Sequence, residues 1–422
     1  MKLITYTKTI LFVLMVLMLQ SCDEELLPDP DDNQIDRLNW SYDFSTVMAH
    51  SLYNRVPAID ETGNIYVAAD VQYGGQIIKL ADDGSEIWSV NESAFPLSRV
   101  IYFGNKIFYV VENDLICRSA TDGSELWTAD APGGYNTLAL TSDKIYTNKF
   151  EDGGIFGCNN SLMSFDHNGN KMWETKIKYS ENDTITYPNA ISINGNNIYL
   201  GVFAEVDNSD FAIINYVDEG NSVSKQWTWL APEDYSVGGG TPRIKDFAID
   251  DNNNLVFGME NSSIQYVFSV SNTGVTNWQT ATTLSKIISN VTIDADDECF
   301  VAYDKCEKVN QEGVIWESEI KTDWQYEGLV SKAPVISHNG NITYENISKL
   351  LTSLAPDGAF LWEQFWGCEL CNDEFHNLTI NRNGDIIVVT KAGVFSFKGD
   401  GTGLSDKGWP KRYGDYGNTS SK

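Results

Sequence analysis

The feature that most constrains this chain is a polar-Gly turn followed three or four residues later by tryptophan, repeated along its length. It closes at Trp88 in LADDGSEIW, Trp127 in ATDGSELW, Trp173 in FDHNGNKMW, Trp278 in SNTGVTNW, Trp316 in NQEGVIW and Trp362 in LAPDGAFLW. A degenerate copy, DEGNSVSKQW, closes at Trp227. A fixed period of this length indicates a repeat architecture, in which each copy is one supersecondary unit that buries its apolar face against the next.

A second signature alternates with the first. PAIDETGNIYV (57–67), VIYFGNKIFYV (100–110), LALTSDKIYT (138–147) and AISINGNNIYL (190–200) each place a Gly, Asn or Asp turn between two runs of alternating apolar and polar residues. FAIDDNNNLVF (247–257), VTIDADDECFV (291–301), PVISHNGNITY (334–344) and LTINRNGDIIV (378–388) continue the series. This is the pattern of a half-buried β-hairpin, whose turn residues supply positive φ angles.

Eight hairpins and seven tryptophan signatures leave one unit without an outer strand. From each signature Trp to the first apolar residue after the next hairpin turn, the separation runs from 18 (Trp127 to Ile145) to 28 (Trp227 to Leu255), and Trp40 to Ile65 is 25. Trp40 in NWSYDF therefore belongs to an eighth repeat whose other strands lie at the far end of the chain. The expectation is an all-β, eight-bladed propeller of four-stranded antiparallel blades over residues 37–403, the last blade closed by the N-terminal strand. Residues 404–422 are set apart as a C-terminal tail. Trp40, Trp88, Trp127, Trp173, Trp227, Trp278, Trp316 and Trp362 are expected to pack between blades, each removing about 150–250 Å² from water, worth several kcal/mol at about 25 cal/mol per Å².

An acidic-Gly turn followed by Trp, repeated around an eight-bladed ring, resembles the PQQ-like (quinoprotein alcohol dehydrogenase-like) β-propeller repeat family. GWPKRYGDYGNTS (408–420) is similar to a Trp-Pro, Asp, Asn-Thr element of such proteins. The resemblance implies the fold and leaves function open, because the family holds enzymes, assembly factors and binding proteins.

The N-terminus bears on location. MKLITYTKTILFVLMVLMLQSC carries lysines at 2 and 8 and an apolar run from Ile10 to Leu19 that is short for a membrane span. It ends in Leu19-Gln20-Ser21-Cys22, similar to a bacterial lipobox with Gln20 as a departure, which implies a signal peptide over 1–21 and lipidation of Cys22. Residues 22–36 form an acidic flexible tether in which seven of fifteen residues are Asp or Glu. Its start, Asp23-Glu24-Glu25, resembles the export signal of Bacteroidetes surface lipoproteins. An outer-membrane lipoprotein, exposed at the surface or not, is the expected location.

Net charge is −30, so nucleic acid is excluded as a partner by charge repulsion. Six cysteines remain after Cys22. Cys299 and Cys306 bracket a short turn; were it two residues at Ala302-Tyr303, they would face each other at disulfide range. Cys368 and Cys371 form CELC, read as a local disulfide or two free thiols: Asn372 stands where a haem motif needs His, and zinc lacks four ligands. Cys117 and Cys158 read as small core or loop residues.

No Cys-Cys pair is present for the ring disulfide a quinoprotein dehydrogenase resemblance calls for, and no calcium-binding set or catalytic Asp falls on a family motif. No cofactor is expected, PQQ is disfavoured, and calcium stays open. The favoured function is a non-catalytic, lipid-anchored, monomeric envelope module binding a protein or glycan, including the role of the propeller lipoprotein of outer-membrane barrel assembly. Trp324, Tyr326 and Trp366 are the candidate partner-binding residues. The alternative is a quinoprotein-like oxidoreductase or glycan-active enzyme with a central pocket.

Overall fold

The computed structural model describes residues 36–44, 56–71, 74–94, 98–131, 137–150, 160–178, 186–204, 210–232, 246–261, 264–285, 291–319, 333–346, 350–365 and 377–422. Residues 38–422 form one compact unit. Its described strands make eight four-stranded antiparallel sheets. Blades 1 to 7 take their strands in chain order from residues 58–92, 101–130, 138–176, 186–230, 248–281, 292–317 and 335–365. Blade 8 takes three strands from 377–397 and its outer strand from Leu38–Asp43, paired antiparallel with Gly393–Phe397. The ring closes as the position of Trp40 predicts.

The inner three strands of each blade are apolar on both faces, as in Ile101–Phe103, Lys106–Val111 and Asp114–Ser119, because each is covered by a blade on either side. The outer strands alternate exposed and half-buried residues. All eight signature tryptophans lie on outer strands. Only Trp173 among them is buried, and the rest are half-buried, so each stabilises the ring by less than full burial implies.

The tryptophans reach the next blade by a repeated device. In every blade the pairing of third and outer strands slips by one residue just before the Trp, as where Leu80 faces Glu86 but Lys79 faces Trp88. The extra residue is a β-bulge, which kinks and re-aims the strand. It is apolar and exposed in four blades, at Ile87, Leu126, Ile315 and Leu361. The Trp is thereby aimed at the next blade's turn: Trp40 Nε1 donates to the Asp82 carbonyl at 2.9 Å, Trp127 to His167 at 3.0 Å and Trp227 to Asn272 at 2.8 Å. The ring faces the turn glycine so closely that a Cβ on Gly84, Gly169 or Gly274 would lie 2.5–2.7 Å from indole carbons. In blade 4 the degenerate turn changes the joint. Asp218 there accepts from Lys144 Nζ at 2.6 Å, the Tyr146 hydroxyl at 2.8 Å and Trp173 Nε1 at 3.4 Å, all from blade 3.

The cysteine expectation for this region needs correction. Ala302, not Cys299, faces Cys306, because the turn is three residues long, Tyr303 to Lys305. Cys299 faces Val309, so the two thiols are displaced along the hairpin and both are free and buried. Burial pushes both thiols up in pKa, which makes them inert core residues. Cys117 is likewise buried and free. Cys22, Cys158, Cys368 and Cys371 lie outside the described residues, as do Trp324, Tyr326 and Trp366.

Candidate functional site

An innermost propeller strand has a free edge toward the axis, and its unpaired N–H and C=O groups require partners. Here the C-terminal segment supplies them. The amides of Ile59, Tyr102, Leu140 and Ile193 in blades 1 to 4 donate to the carbonyls of Tyr416, Gly417, Thr419 and Ser420 at 2.8–3.0 Å. Ile293 of blade 6 exchanges two such bonds with Trp409, and Ile336 of blade 7 donates to Pro410 at 2.8 Å. Blade 5 is reached by Lys422 Nζ, 3.2 Å from the Ile249 carbonyl, and blade 8 by the Arg382 guanidinium, 4.0 Å over the Tyr416 ring. Residues set apart above as a tail are thus the hub of the ring. The strand residues they bond lie next to the turns after the first strands, so the hub fills the axis at the turn end.

Its path needs three non-glycine residues in the left-handed region, Tyr413 (φ 68°), Asn418 (φ 62°) and Ser420 (φ 54°), each somewhat strained. Charged side chains hold it there. Arg99 is 1% exposed and donates to the carbonyls of Asn418 at 3.0 Å and Leu138 at 2.5 Å and to Ser420 Oγ at 2.7 Å, its guanidinium 3.6 Å over the Tyr413 ring. Asp246 accepts from the amides of Phe247 at 2.9 Å and Tyr413 at 3.0 Å. Burial raises the Asp246 pKa against the pull of Arg412 and Arg99, and burial lowers that of Arg99. Asn418 Nδ2 bridges the carbonyls of Val56 at 2.8 Å and Val100 at 3.1 Å, tying blades 1 and 2 together. The buried indole N–H of Trp409 has no hydrogen-bond partner among the described residues.

The hub residues Arg99, Asp246, Lys411 and Asn418 escape a reading by composition or period. One signal was available: the chain holds few arginines, and Arg99 and Arg382 meet this segment while Arg412 lies in it.

A second polar cluster, between blades 5 and 6, has the residue types of a nucleophile and base. Thr283 Oγ1 donates to Glu307 and Glu317, and Lys305 donates to Thr283 and Glu317. Burial draws the Lys305 pKa down, but Glu317 and Glu307 outweigh it and hold the ammonium charged. Charge-assisted hydrogen bonds among these groups tie blade 5 to blade 6, as Glu92 with Tyr109 and Arg118 ties blade 1 to blade 2. Among the described residues, no group of three or more His, Cys, Asp or Glu is placed to hold a metal ion.

The family model described as outer membrane protein assembly factor BamB matches residues 73–202. No curated protein matches the sequence. Among solved structures, quinohemoprotein alcohol dehydrogenase ADHIIG of Pseudomonas putida HK5 is 11% identical, with a TM-score of 0.59 over 88% of this chain and 77% of that one. The quinohemoprotein alcohol dehydrogenase of Comamonas testosteroni is 10% identical, with a TM-score of 0.56 over 85% and 75%. At such identity these likenesses concern the fold alone.

Proposed function

We propose that this propeller of PQQ-like repeats is a non-catalytic, lipid-anchored module of the cell envelope that binds a protein or glycan partner through the loops between its blades. The filled hub carries the reading. The chain's own C-terminal segment takes the axis at the turn end, and the repeated tryptophans hold blade to blade, so recognition is left to the end opposite the turns. Trp324 and Tyr326 fall in the connection between blades 6 and 7, and Trp366 in that between blades 7 and 8. The description of the matching family model supports a partner of the assembly kind.

The fold family implies PQQ with calcium, and the described axial groups do not suit them: Arg99 and Asp246 are engaged with the chain's own backbone, and the sequence holds no adjacent cysteine pair. The protein should therefore take up no PQQ and oxidise no alcohol when supplied with PQQ and calcium.

The test is the triple variant Trp324→Ala, Tyr326→Ala, Trp366→Ala. Aromatic anchors at an interface contribute about 2 kcal/mol or more each, so a folded triple variant should lose its co-purifying envelope partner at least tenfold. Retained partner binding, or stoichiometric PQQ uptake with dye-linked turnover, overturns the reading. The anchor is tested separately: Cys22→Ala should move the protein from the membrane to the soluble envelope fraction, and its persistence in salt-washed membranes would refute lipidation.

A further inference from the structure

Lys411 stands apart within the hub. It is 0% exposed, and its Nζ donates to the neutral side-chain oxygen of Asn418. Among the described residues that oxygen is its one acceptor, and an ammonium with three donors buried against one neutral acceptor is costly. The ionisable groups facing it come from three places: Asp415 on the segment itself, Arg99 ahead of blade 2, and Asp246 ahead of blade 5. Both carboxylates are already taken, Asp415 by the Thr419 amide and hydroxyl and Asp246 by two backbone amides. Blades 1, 2 and 3 contribute the carbonyls of Val56, Val100 and Leu138, which bond Asn418 and Arg99.

Asn418 is the junction through which Lys411 acts. Its Nδ2 holds blades 1 and 2, its carbonyl takes Arg99, and its Oδ1 takes Lys411. We propose that Lys411 is a proton-operated latch for the hub: as a neutral amine it leaves Asn418 seated, and on taking a proton it loosens Asn418 and the segment that closes the axis.

The direction of the effect follows from burial, which brings the Lys411 pKa down to about 7 from 10.5. With the seated pKa below the released one, the released state binds more protons between these values. Seating therefore strengthens as pH rises from about 7 toward about 10, by up to about tenfold per pH unit, and lies at its weakest, flat level below about 7.

Two measurements on the intact protein test this. In ¹³Cε lysine NMR one resonance should titrate near neutrality and vanish in Lys411→Met. Hydrogen-exchange protection factors of the Ile59, Tyr102, Leu140 and Ile193 amides, corrected for intrinsic rate, should rise about tenfold per unit above pH 7 and become flat in that variant. The latch is refuted if every lysine titrates above pH 9 or if both proteins share one protection profile. Should Lys411→Met fail to fold, the wild-type lysine titration decides alone.

Discussion

At Gly84 the chain turns with φ +83°, and the Trp40 ring lies where a side chain would begin, 2.5 Å from a built Cβ. Both facts demand glycine. At Gly104, φ is +58° and no atom lies within 4 Å of a built Cβ, so only the backbone preference applies. Gly84→Ala should therefore cost about 3 kcal/mol, against about 1 kcal/mol for Gly104→Ala, the difference being the displaced indole. Urea midpoints of the two variants check this; equal losses would mean that the Trp–Gly contact does not hold the blades. The spacing of glycine and tryptophan was legible because the turn and the ring are both local in sequence. The bulge residue between them was not, since Ile87 and Leu126 look like core residues until the register of the neighbouring strand turns them outward.

At the scale of elements, the strand Leu38–Asp43 covers the edge of Gly393–Phe397, whose residues are mostly buried. Deleting residues 38–43 removes that cover together with Trp40, which bonds blade 1. We expect a loss of more than about 4 kcal/mol and concentration-dependent aggregation through the bared edge, read by urea denaturation and light scattering. An unchanged midpoint would show that blade 8 does not depend on this strand. The pairing was legible from counting, because a ring of equal blades leaves one outer strand to find. The Cys299–Cys306 register was not, since a hairpin turn of two residues and one of three differ little in sequence but displace every partner.

At the scale of the molecule, the ring has two long-range closures: the outer strand of blade 8 and the hub. The second joins all eight blades, so truncation after residue 402 should act on the whole ring. It leaves the amides of Ile59, Tyr102, Leu140, Ile193, Ile293 and Ile336 without their partners and uncovers Arg99 and Asp246. Each orphaned buried group costs about 1–3 kcal/mol, which predicts a Tm lower by at least roughly 10 °C, measured by calorimetry; a truncated protein with the native Tm would reduce the hub to decoration of a self-sufficient ring.

The sequence by itself determined the class, the number of blades and the closing strand, because hairpin turns, apolar alternation and the Gly-to-Trp spacing act over a few residues and repeat. The tertiary structure alone decided that residues 403–422 are a hub. Nothing local in GWPKRYGDYGNTS specifies a partner: its backbone groups are satisfied by the free inner edges of strands up to several hundred residues away, and those edges converge only once the ring has closed. Arg99, Asp246 and Lys411 are scattered in the chain for the same reason. Their charges acquire meaning from burial on the axis, a property of the assembled ring that no window of sequence contains.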